Sequence, residues 1–402
     1  MSTWICCQLG AREHYAVPST LSIRGQLGQF ITDLWIRPGT VLHSWRKQAN
    51  ERFHPSLAGA RIDAPNLAAL SFELRASFAR ENGWGLIGRR NLWFQHQAVA
   101  QIERAQQNSK EESRIVFAYS YAAEQIFRFA KDRGWRTVLG QIDPGPTEEQ
   151  IVSGLENSSP IKHKHWNPAP AEYWTNWRNE CRLADHIVVN SEWSRQALLG
   201  AGVPPEKLNL LPLAYEPSVD AGSFQRHYPR TFSRERPLRV LFLGQVNLRK
   251  GVGPLLEAAH LLSGENLEFW IVGPMQLDVP QPIKLHPQIR WFGTAKGKAV
   301  ASYYRDADVF IFPTFSDGFG LTQLEAQAWK LPVVASRNCG EVVRDGFNGV
   351  ILEDVSAQRI AEVLRQFLAS PETLSAMSVR SGVDDRFSLK ALGSALERLI
   401  TV

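Results

Sequence analysis

The sequence predicts an α/β protein made of two successive doubly wound domains, each a parallel sheet with helices on both faces. Short apolar runs that end at glycine or proline recur along the chain, and such runs are typical of buried parallel strands. Helical patterns follow several of these runs, which indicates parallel sheets with right-handed crossovers. The chain has 402 residues, more than the about 100–200 residues usual for one domain. We therefore expect two domains.

The second half shows this alternation most clearly. Its first apolar run, LRVLFL at residues 238–243, ends at Gly244. Further strands are predicted at residues 269–272, 289–292, 309–312 and 332–335, and helices at residues 254–262, 298–305 and 321–329. Loops that follow such strands lie at the carboxyl edge of the sheet, where these folds bind ligands.

The first half shows the same pattern more weakly. Strands are predicted at residues 4–9, 115–119, 137–139 and 186–190, and helices at residues 15–24, 122–131 and 194–199. A Pro-, Ser- and Arg-rich stretch without periodicity, residues 216–237, marks the predicted linker. The expected division is residues 1–215, this linker, residues 238–385, and a C-terminal helix over residues 386–402 that could pack back on the first domain.

The composition excludes several classes of protein. Lys and Arg total 45 against 40 Asp and Glu, a net charge of +5, and so small a surplus does not predict a nucleic-acid partner. The cysteines are too few and too scattered for a disulfide framework or a metal site. They are Cys6, Cys7, Cys181 and Cys339. This usage fits a reducing cytosol.

Nothing in the sequence predicts a membrane span, because no stretch approaches the ~18 apolar residues that a span needs. Residues 1–10 also lack the features of a signal peptide. We expect a cytoplasmic protein, with peripheral contact to the inner face of a membrane as an option. The residues that could touch an anionic membrane are Trp45, Arg46, Lys47 and Arg52, although a solvated face is the plainer interpretation.

The segment FSDGFGLTQLE, residues 315–325, follows a predicted strand and opens a predicted helix. Gly318 and Gly320 allow a ligand to approach the backbone closely. The amides of residues 319–322 would form a positive helix terminus suited to a diphosphate. Asp317 and Glu325 flank this cradle, and Glu325 could accept hydrogen bonds from a ribose diol. The plainer alternative is that Asp317 caps the helix and Glu325 is solvated.

A second loop, GQVNLRKG at residues 244–251, follows the first strand of the same domain. It places Arg249 and Lys250 at the same edge of the sheet. An isolated Arg-Lys pair usually lies on the surface and has no role in a binding site. Together, a loop with amide donors and carboxylates and a loop with cations predict a site for a nucleoside diphosphate.

These residues resemble glycosyltransferase family 4, whose members are retaining enzymes of the GT-B fold, with two Rossmann-like domains facing across a cleft. The run from Asp317 to Glu325 is similar to the acidic–seven–acidic motif of that family. Residues 313, 318–321, 325–326, 332–336, 340–343, 345–346 and 349 also stand where the family pattern has them, as do residues 184–189, 191–194 and 202–204. The resemblance covers roughly the last 220 residues well and the first 180 only in general layout.

The resemblance implies roles for individual residues. Glu325 would hold the ribose of a nucleotide-sugar donor, Lys250 would neutralise the departing diphosphate, and Asp317 would lie near the sugar, so that these three are the candidate catalytic residues. The amides of residues 319–321 would contact sugar and phosphate. The expected donor contacts are Gly244, Gln245, Arg249, Lys250, Gly273, Gly318, Phe319, Gly320, Leu321, Thr322 and Glu325.

The implied reaction moves a sugar from a UDP- or GDP-sugar to a hydroxyl of a glycan, glycolipid or polysaccharide precursor, with retention of configuration. Family enzymes typically need no metal, and no other cofactor is expected. The donor would bind the second domain and the acceptor the first. The alternatives are a GT-B module that binds nucleotide sugar without turnover, or a sugar-nucleotide epimerase, for which Asp143 is the one candidate base.

Three departures from the family pattern concern the site. The first acidic residue is Asp317 where Glu is usual, and Gln245 stands where an arginine is common, although Arg249 could compensate. The family also has a histidine after a strand of the first domain, and here either Gln141 or Asp143 could take its place. Gly10 resembles only loosely the glycine-rich loop beside the donor.

Aromatic residues are concentrated in the first half, where ten of the 13 tryptophans precede residue 215. Trp166, Trp174 and Trp177 lie near Tyr173 in the sequence. They are either core residues or the lining of an acceptor groove, where aromatic rings stack on sugar faces.

Overall fold

The computed structural model of the chain describes residues 3–39, 52–106 and 114–401. The candidate membrane residues Trp45, Arg46 and Lys47 lie outside these ranges. Within them, two parallel sheets dominate, one in each half of the chain. The predicted α/β fold class is confirmed.

Within the described part of the first half, the sheet has seven strands in the order β3-β2-β1-β4-β5-β7-β8, and every neighbouring pair is parallel. The bounds are β1 Thr3–Gln8, β2 Leu27–Thr32, β3 Ile62–Asp63, β4 Arg114–Tyr119, β5 Arg136–Gly140, β7 His186–Val189 and β8 Leu208–Leu210. The sequence pattern missed β2, since Gly28 and Gln29 interrupt its apolar run.

The sheet of the second half has six parallel strands in the order β12-β10-β9-β13-β14-β15. Their bounds are β9 Leu238–Leu243, β10 Leu267–Val272, β12 Ile289–Gly293, β13 Val309–Phe312, β14 Val333–Ala335 and β15 Gly349–Ile351. A third, antiparallel pair joins the halves: β6, Lys162–His163, lies beside β11, Leu277–Asp278.

Helices cover both sheets. In the first half they are α1 Ala16–Ile23, α2 Asn66–Phe78, α3 Gly83–Gln106, α4 Glu124–Lys131, α5 Pro146–Ser158, α6 Ala171–Leu183 and α7 Glu192–Gly200. From residue 219 onward they are α8 Val219–Ser223, α9 Val252–Leu261, α10 Gln281–Lys284, α11 Lys298–Asp306, α12 Thr322–Ala328, α13 Ala357–Ala369, α14 Pro371–Arg380 and α15 Leu389–Thr401.

Each sheet is buried between two apolar clusters, one on each face. Strand β9 shows why its sequence is apolar throughout: Leu238 and Val240 pack into one cluster and Leu241 into the other. Burial on both faces is what a continuous apolar run predicts for a parallel strand. The core therefore holds the carboxyl edges of both sheets rigidly.

The last helix, α15, returns to the first half of the chain. It packs against α1, where Thr20 Oγ1 donates to the carbonyl of Leu389 over 2.6 Å. Gln26 Nε2 donates to Glu397 Oε1 over 3.1 Å. The two ends of the chain therefore belong to one packed unit.

No helix within residues 3–39, 52–106 and 114–401 combines the length and the apolar character that a membrane crossing requires. Arg52, one of the candidate membrane residues, forms an ion pair with Asp33 at 2.9 Å. Its guanidinium is thus engaged by the protein itself.

Candidate active site

The two predicted loops of the second half meet at the carboxyl edge of its sheet. Gly251 has φ +71°, and a Cβ there would lie 1.8 Å from the carbonyl oxygen of Pro313. The amide of Phe315 donates to the carbonyl of Arg249 over 2.8 Å, and Thr314 Oγ1 donates to the same oxygen over 3.0 Å. Only glycine fits at position 251, so this contact fixes the cationic loop against the loop that carries Asp317.

The carboxyl ends of β9 and β10 are packed just as closely. The amide of Gly244 donates to the carbonyl of Val272 over 3.0 Å. A Cβ on Gly273 would lie 1.7 Å from the carbonyl oxygen of Gly244. These two predicted donor residues therefore adjoin each other at the ends of β9 and β10.

Lys250 and Asp317 form an ion pair at the centre of the site. Their side chains are only 12% and 14% exposed, and the Lys250 ammonium lies 4.8 Å from the centroid of the Phe312 ring. Burial, reinforced by the Arg249 guanidinium, lowers the pKa of Lys250 well below its ordinary value. A poorly solvated ammonium of this kind gains strongly from a neighbouring anion.

Arg249 points toward the first half of the chain. Its guanidinium lies 3.2 Å from Glu148 Oε2 and 3.6 Å from Asp317 Oδ2, and it donates to the carbonyl of Ser316 over 2.9 Å. Gln245, which stands where the family has an arginine, is exposed, and its side chain accepts a 3.4 Å contact from Asn247. That Arg249 compensates for Gln245 at a diphosphate stays a prediction, since its contacts here are all within the protein.

The glycine-containing segment at the start of α12 presents backbone donors, but fewer than predicted. The amide of Phe319 donates to Asp317 Oδ1 over 3.1 Å, so it is already occupied. The amides of Gly320 and Leu321 donate to no other described residue. Gly320 has φ +81°, and a Cβ there would lie 2.5 Å from the Phe312 ring. Thr322 begins the helix itself.

Glu325 lies in the first turn of α12, and its Oε2 accepts a 2.7 Å hydrogen bond from the Tyr304 hydroxyl. Its other oxygen is 3.9 Å from Nε2 of His14, in the first half. Burial, followed by the Glu325 charge, raises the pKa of Tyr304 well above its ordinary value. Tyr304 therefore remains a hydrogen-bond donor that orients the Glu325 carboxylate.

His14 belongs to a strained loop after β1 that the sequence did not reveal. Three consecutive non-glycine residues there, Glu13, His14 and Tyr15, have φ values of 51°, 49° and 62°. Such conformations are unfavourable and tend to occur at functional sites. Gly10 begins this loop with φ +82°, and its amide donates to Asp33 Oδ1 over 2.9 Å.

The structure separates the two candidates for the missing histidine. Gln141 is buried, its Oε1 accepts from Trp177 Nε1 over 3.0 Å, and its Nε2 donates to the carbonyl of Asp143 over 3.0 Å. These bonds hold Gln141 inside the first half, and a contact of Gln141 with the donor stays a prediction. Asp143 lines the cavity described below and accepts from the Tyr121 hydroxyl over 2.5 Å.

The two halves are closed against each other at Gly318. Its carbonyl accepts from Ser191 Oγ over 2.7 Å and from Ser194 Oγ over 3.2 Å. A Cβ on Gly318 would lie 2.2 Å from the carbonyl oxygen of Ile142. Gly318 is thus required for contact between the halves, a role beyond the approach of a ligand that the sequence predicts.

A cavity of about 510 Å³ opens between the halves beside Arg249 and Asn247. Trp166, Tyr173 and Trp174 line it, whereas Trp177 is only 1% exposed and belongs to the core. The aromatic cluster therefore divides into lining residues and a core residue, as the two alternatives from the sequence allowed.

Among the described residues, no group of three or more His, Cys, Asp or Glu side chains is arranged to hold a metal ion. The site joins a buried ammonium, free backbone amides and two carboxylates. Cations and oriented amides of this kind stabilise negative charge that develops on a leaving group.

The family model for "Glycosyl transferases group 1" matches residues 224–381. Among curated proteins, the chain is 30% identical over 314 residues to D-inositol 3-phosphate glycosyltransferase 1 of Catenulispora acidiphila, covering 72% of this chain and 71% of that protein. It is 31% identical over 218 residues to D-inositol 3-phosphate glycosyltransferase of Geodermatophilus obscurus, covering 48% of this chain but only 47% of that relative, about half its length.

Among solved structures, HepE of Anabaena in complex with UDP matches all of this chain and all of its own, with a TM-score of 0.63 at 14% identity. A likeness at this identity speaks for the fold, and the fold is GT-B, as the resemblance implied. Together with the C. acidiphila relative, the matches place the chain in a family: it belongs to the group 1 glycosyltransferases.

Proposed function

We propose that this protein transfers a sugar from a nucleotide-diphosphate donor to an acceptor hydroxyl. The observation that carries this proposal is the convergence of the buried Lys250 ammonium with the start of α12, where the amides of Gly320 and Leu321 have no partner among the residues that the structure describes. The family supports it, and so do neighbours in the same fold, since HepE has been crystallised with UDP and with UDP-glucose.

The chemistry of the donor explains these residues. Breaking the bond between the sugar C1 and the phosphate oxygen leaves negative charge on the diphosphate, which a cation and oriented amides stabilise. Lys250 would leave its ion pair with Asp317 and pair with this diphosphate. Asp317 would then be released toward the sugar hydroxyls, while Glu325, oriented by Tyr304, would accept hydrogen bonds from the ribose.

The reaction would retain the configuration at C1. The acceptor oxygen would bond to C1 from the face that the diphosphate leaves, and its proton would pass to a phosphate oxygen. This route needs no metal and no further cofactor. The donor would be a UDP- or GDP-sugar. The acceptor would be a glycan, glycolipid or polysaccharide precursor. Closure of the halves at Gly318 would exclude water and limit donor hydrolysis.

The proposal is tested by thermal unfolding with UDP, GDP and ADP, each with the wild type and with Glu325→Ala. One nucleotide should raise the melting temperature, because saturation at 100 times its Kd adds about 2.7 kcal/mol. Glu325→Ala should lose most of that rise, since the ribose contact is gone. Glu257→Ala, which changes an exposed residue of α9, serves as the matched control.

Transfer itself is tested by the release of free nucleotide from the donor sugar. Release that depends on added acceptor supports transfer, whereas binding without any release would indicate a module that holds nucleotide sugar without turnover. The assignment would be contradicted if none of the three nucleotides raised the melting temperature. It would also be contradicted if Glu325→Ala showed the same rise in melting temperature as the wild type.

A further inference from the structure

Three cavities meet at one pair of stacked tyrosines in the first half. The first is the cavity of about 510 Å³ beside Arg249, here called the cleft cavity. The second, of about 470 Å³, runs between α3 and α6 and is called the helix cavity. A small third one, of about 130 Å³, lies over the ends of β1 and β4. Tyr121 and Tyr173 line all three, with ring centroids 4.8 Å apart and planes 17° apart.

Tyr121 is held in a conformation that a bulky side chain rarely adopts, with φ +74°. Its amide donates to Glu180 Oε2 over 2.6 Å and its hydroxyl donates to Asp143 Oδ1 over 2.5 Å. The surrounding structure thus maintains a strained residue at the junction of the cavities. Strain of this kind is typical of ligand-binding positions.

The cavity walls have the chemistry that recognises sugars. Trp84 packs against Tyr173 with ring centroids 4.8 Å apart and planes tilted by 58°, and it lines both larger cavities. Carboxylates stand beside these rings: Asp143 lines the cleft cavity, as does Glu149, which accepts from Trp174 Nε1 over 2.9 Å. Aromatic faces pack on the apolar faces of sugar rings, and carboxylates accept hydrogen bonds from hydroxyls.

The size and direction of the cavities indicate more than one sugar unit. Each larger cavity falls within the about 300–1,000 Å³ that encloses a ligand of several rings. The cleft cavity reaches Arg249 and Asn247, on the loop that carries Lys250, while the helix cavity leads away from that loop along α3. A chain lying across both would place its end near the donor and its body on the tyrosine stack.

Contact between the halves completes the cleft cavity. The amide of Lys164 donates to the carbonyl of Gln276 over 2.8 Å, and Nε2 of His163 accepts from the amide of Leu248 over 3.3 Å. The segment that follows β6 continues from the β6–β11 pair and places His165 and Trp166 in the cavity wall. The site is therefore assembled only when the halves are closed.

We infer that the acceptor is an oligosaccharide of at least two sugar units, seated on the Tyr121–Tyr173 stack and Trp84 and spanning the cleft cavity and the helix cavity. This inference rests on the proposed function, which it extends by naming the class of acceptor and the surface that binds it. Tyr173 and Trp84 are the residues on which the length of the acceptor depends.

The test measures quenching of tryptophan fluorescence by maltotriose, cellotriose, laminaritriose and chitotriose, each against its monosaccharide. At least one trisaccharide should bind with a Kd at least tenfold lower than that of its monosaccharide. Tyr173→Ala and Trp84→Ala should each raise that Kd at least tenfold, whereas Tyr173→Phe, which keeps the ring, should stay within twofold. Phe347→Ala changes an exposed aromatic of the second half and should have no effect.

For every variant, the melting temperature is also measured with and without the nucleotide that stabilises the wild type. This measurement verifies independently that the variant is folded and that its donor site is intact. The inference is overturned if no trisaccharide binds more tightly than its monosaccharide, or if both alanine variants bind like the wild type. Trisaccharide binding that needs Tyr173 and Trp84, in a protein that no nucleotide stabilises, would uphold this site and overturn the proposed donor chemistry.

Discussion

The two sides of the cleft are built in different ways. The donor side, in the second half, consists of two short continuous segments, residues 244–251 and 313–325, which glycines bring together. The opposite side collects side chains from separate segments: His14 after β1, Tyr121 after β4, Asp143 after β5, and Tyr173 on α6. Backbone chemistry can be recognised in a local pattern, whereas a surface of distant side chains cannot.

The two sides also differ in how they hold unusual backbone. The donor side uses Gly251 and Gly320, for which positive φ costs little. The other side forces Glu13, His14, Tyr15 and Tyr121 into the same region. Strain is thus concentrated where the first half faces the cleft, and the predictions below probe each side and then the contact between them.

The largest effect is expected on the donor side. Lys250→Ala should lower kcat about 1,000-fold, because the charge on the departing diphosphate loses its cation in a buried site. The measurement is the initial rate of nucleotide release at saturating donor, with Lys390→Ala, an exposed lysine of α15, as the control. A loss smaller than about tenfold would show that Lys250 serves only to neutralise Asp317.

The strained loop of the first half should make stability depend on pH. Burial raises the pKa of Glu13 to about 7, although the hydrogen bond from Tyr119 opposes the shift. The folded state then binds the proton more tightly than the unfolded state, so stability should fall as pH rises from about 4.5 to 7 and level off above. The loss is on the order of 3 kcal/mol.

Glu13→Gln keeps an acceptor for the Tyr119 hydroxyl and removes the titrating group. Chemical denaturation between pH 4.5 and 8 should therefore show a flatter profile for this variant than for the wild type. The exposed Glu257→Ala serves again as control. Parallel profiles for Glu13→Gln and the wild type would show that Glu13 titrates as it does in the unfolded chain.

The smallest effect is expected at the contact between the sides. Ser191 both caps α7, accepting from the amide of Ser194 over 3.1 Å, and donates to Gly318. Ser191→Ala should cost about 1 kcal/mol of unfolding free energy. Ser194→Ala removes a 3.2 Å bond to the same carbonyl and a 3.1 Å bond from Ser191 Oγ but leaves the cap in place, and it should cost less. Equal losses in denaturant titrations would mean that capping contributes nothing here.

Most strands of the second half were predictable, because their apolar runs are continuous and end at turn residues. Strand β9 lies at the residues predicted, and β13 does so as well. Strand β2 was missed because Gly28 and Gln29 interrupt its apolar run, and β15 was missed because it has only three residues, Gly349–Ile351. Glu325 was placed correctly in the first turn of its helix, because the residue and the start of the helix lie in the same short segment of the sequence.

The amino-acid sequence by itself determined the α/β class, the family resemblance and the two loops of the donor side, since each depends on neighbours only a few residues apart. The tertiary structure decided which way side chains point. It buried Gln141 against Trp177, brought His14 to Glu325 and turned Arg249 toward Glu148. Those contacts join residues far apart in the chain, so they exist only once packing has set the distance and direction between the two sheets.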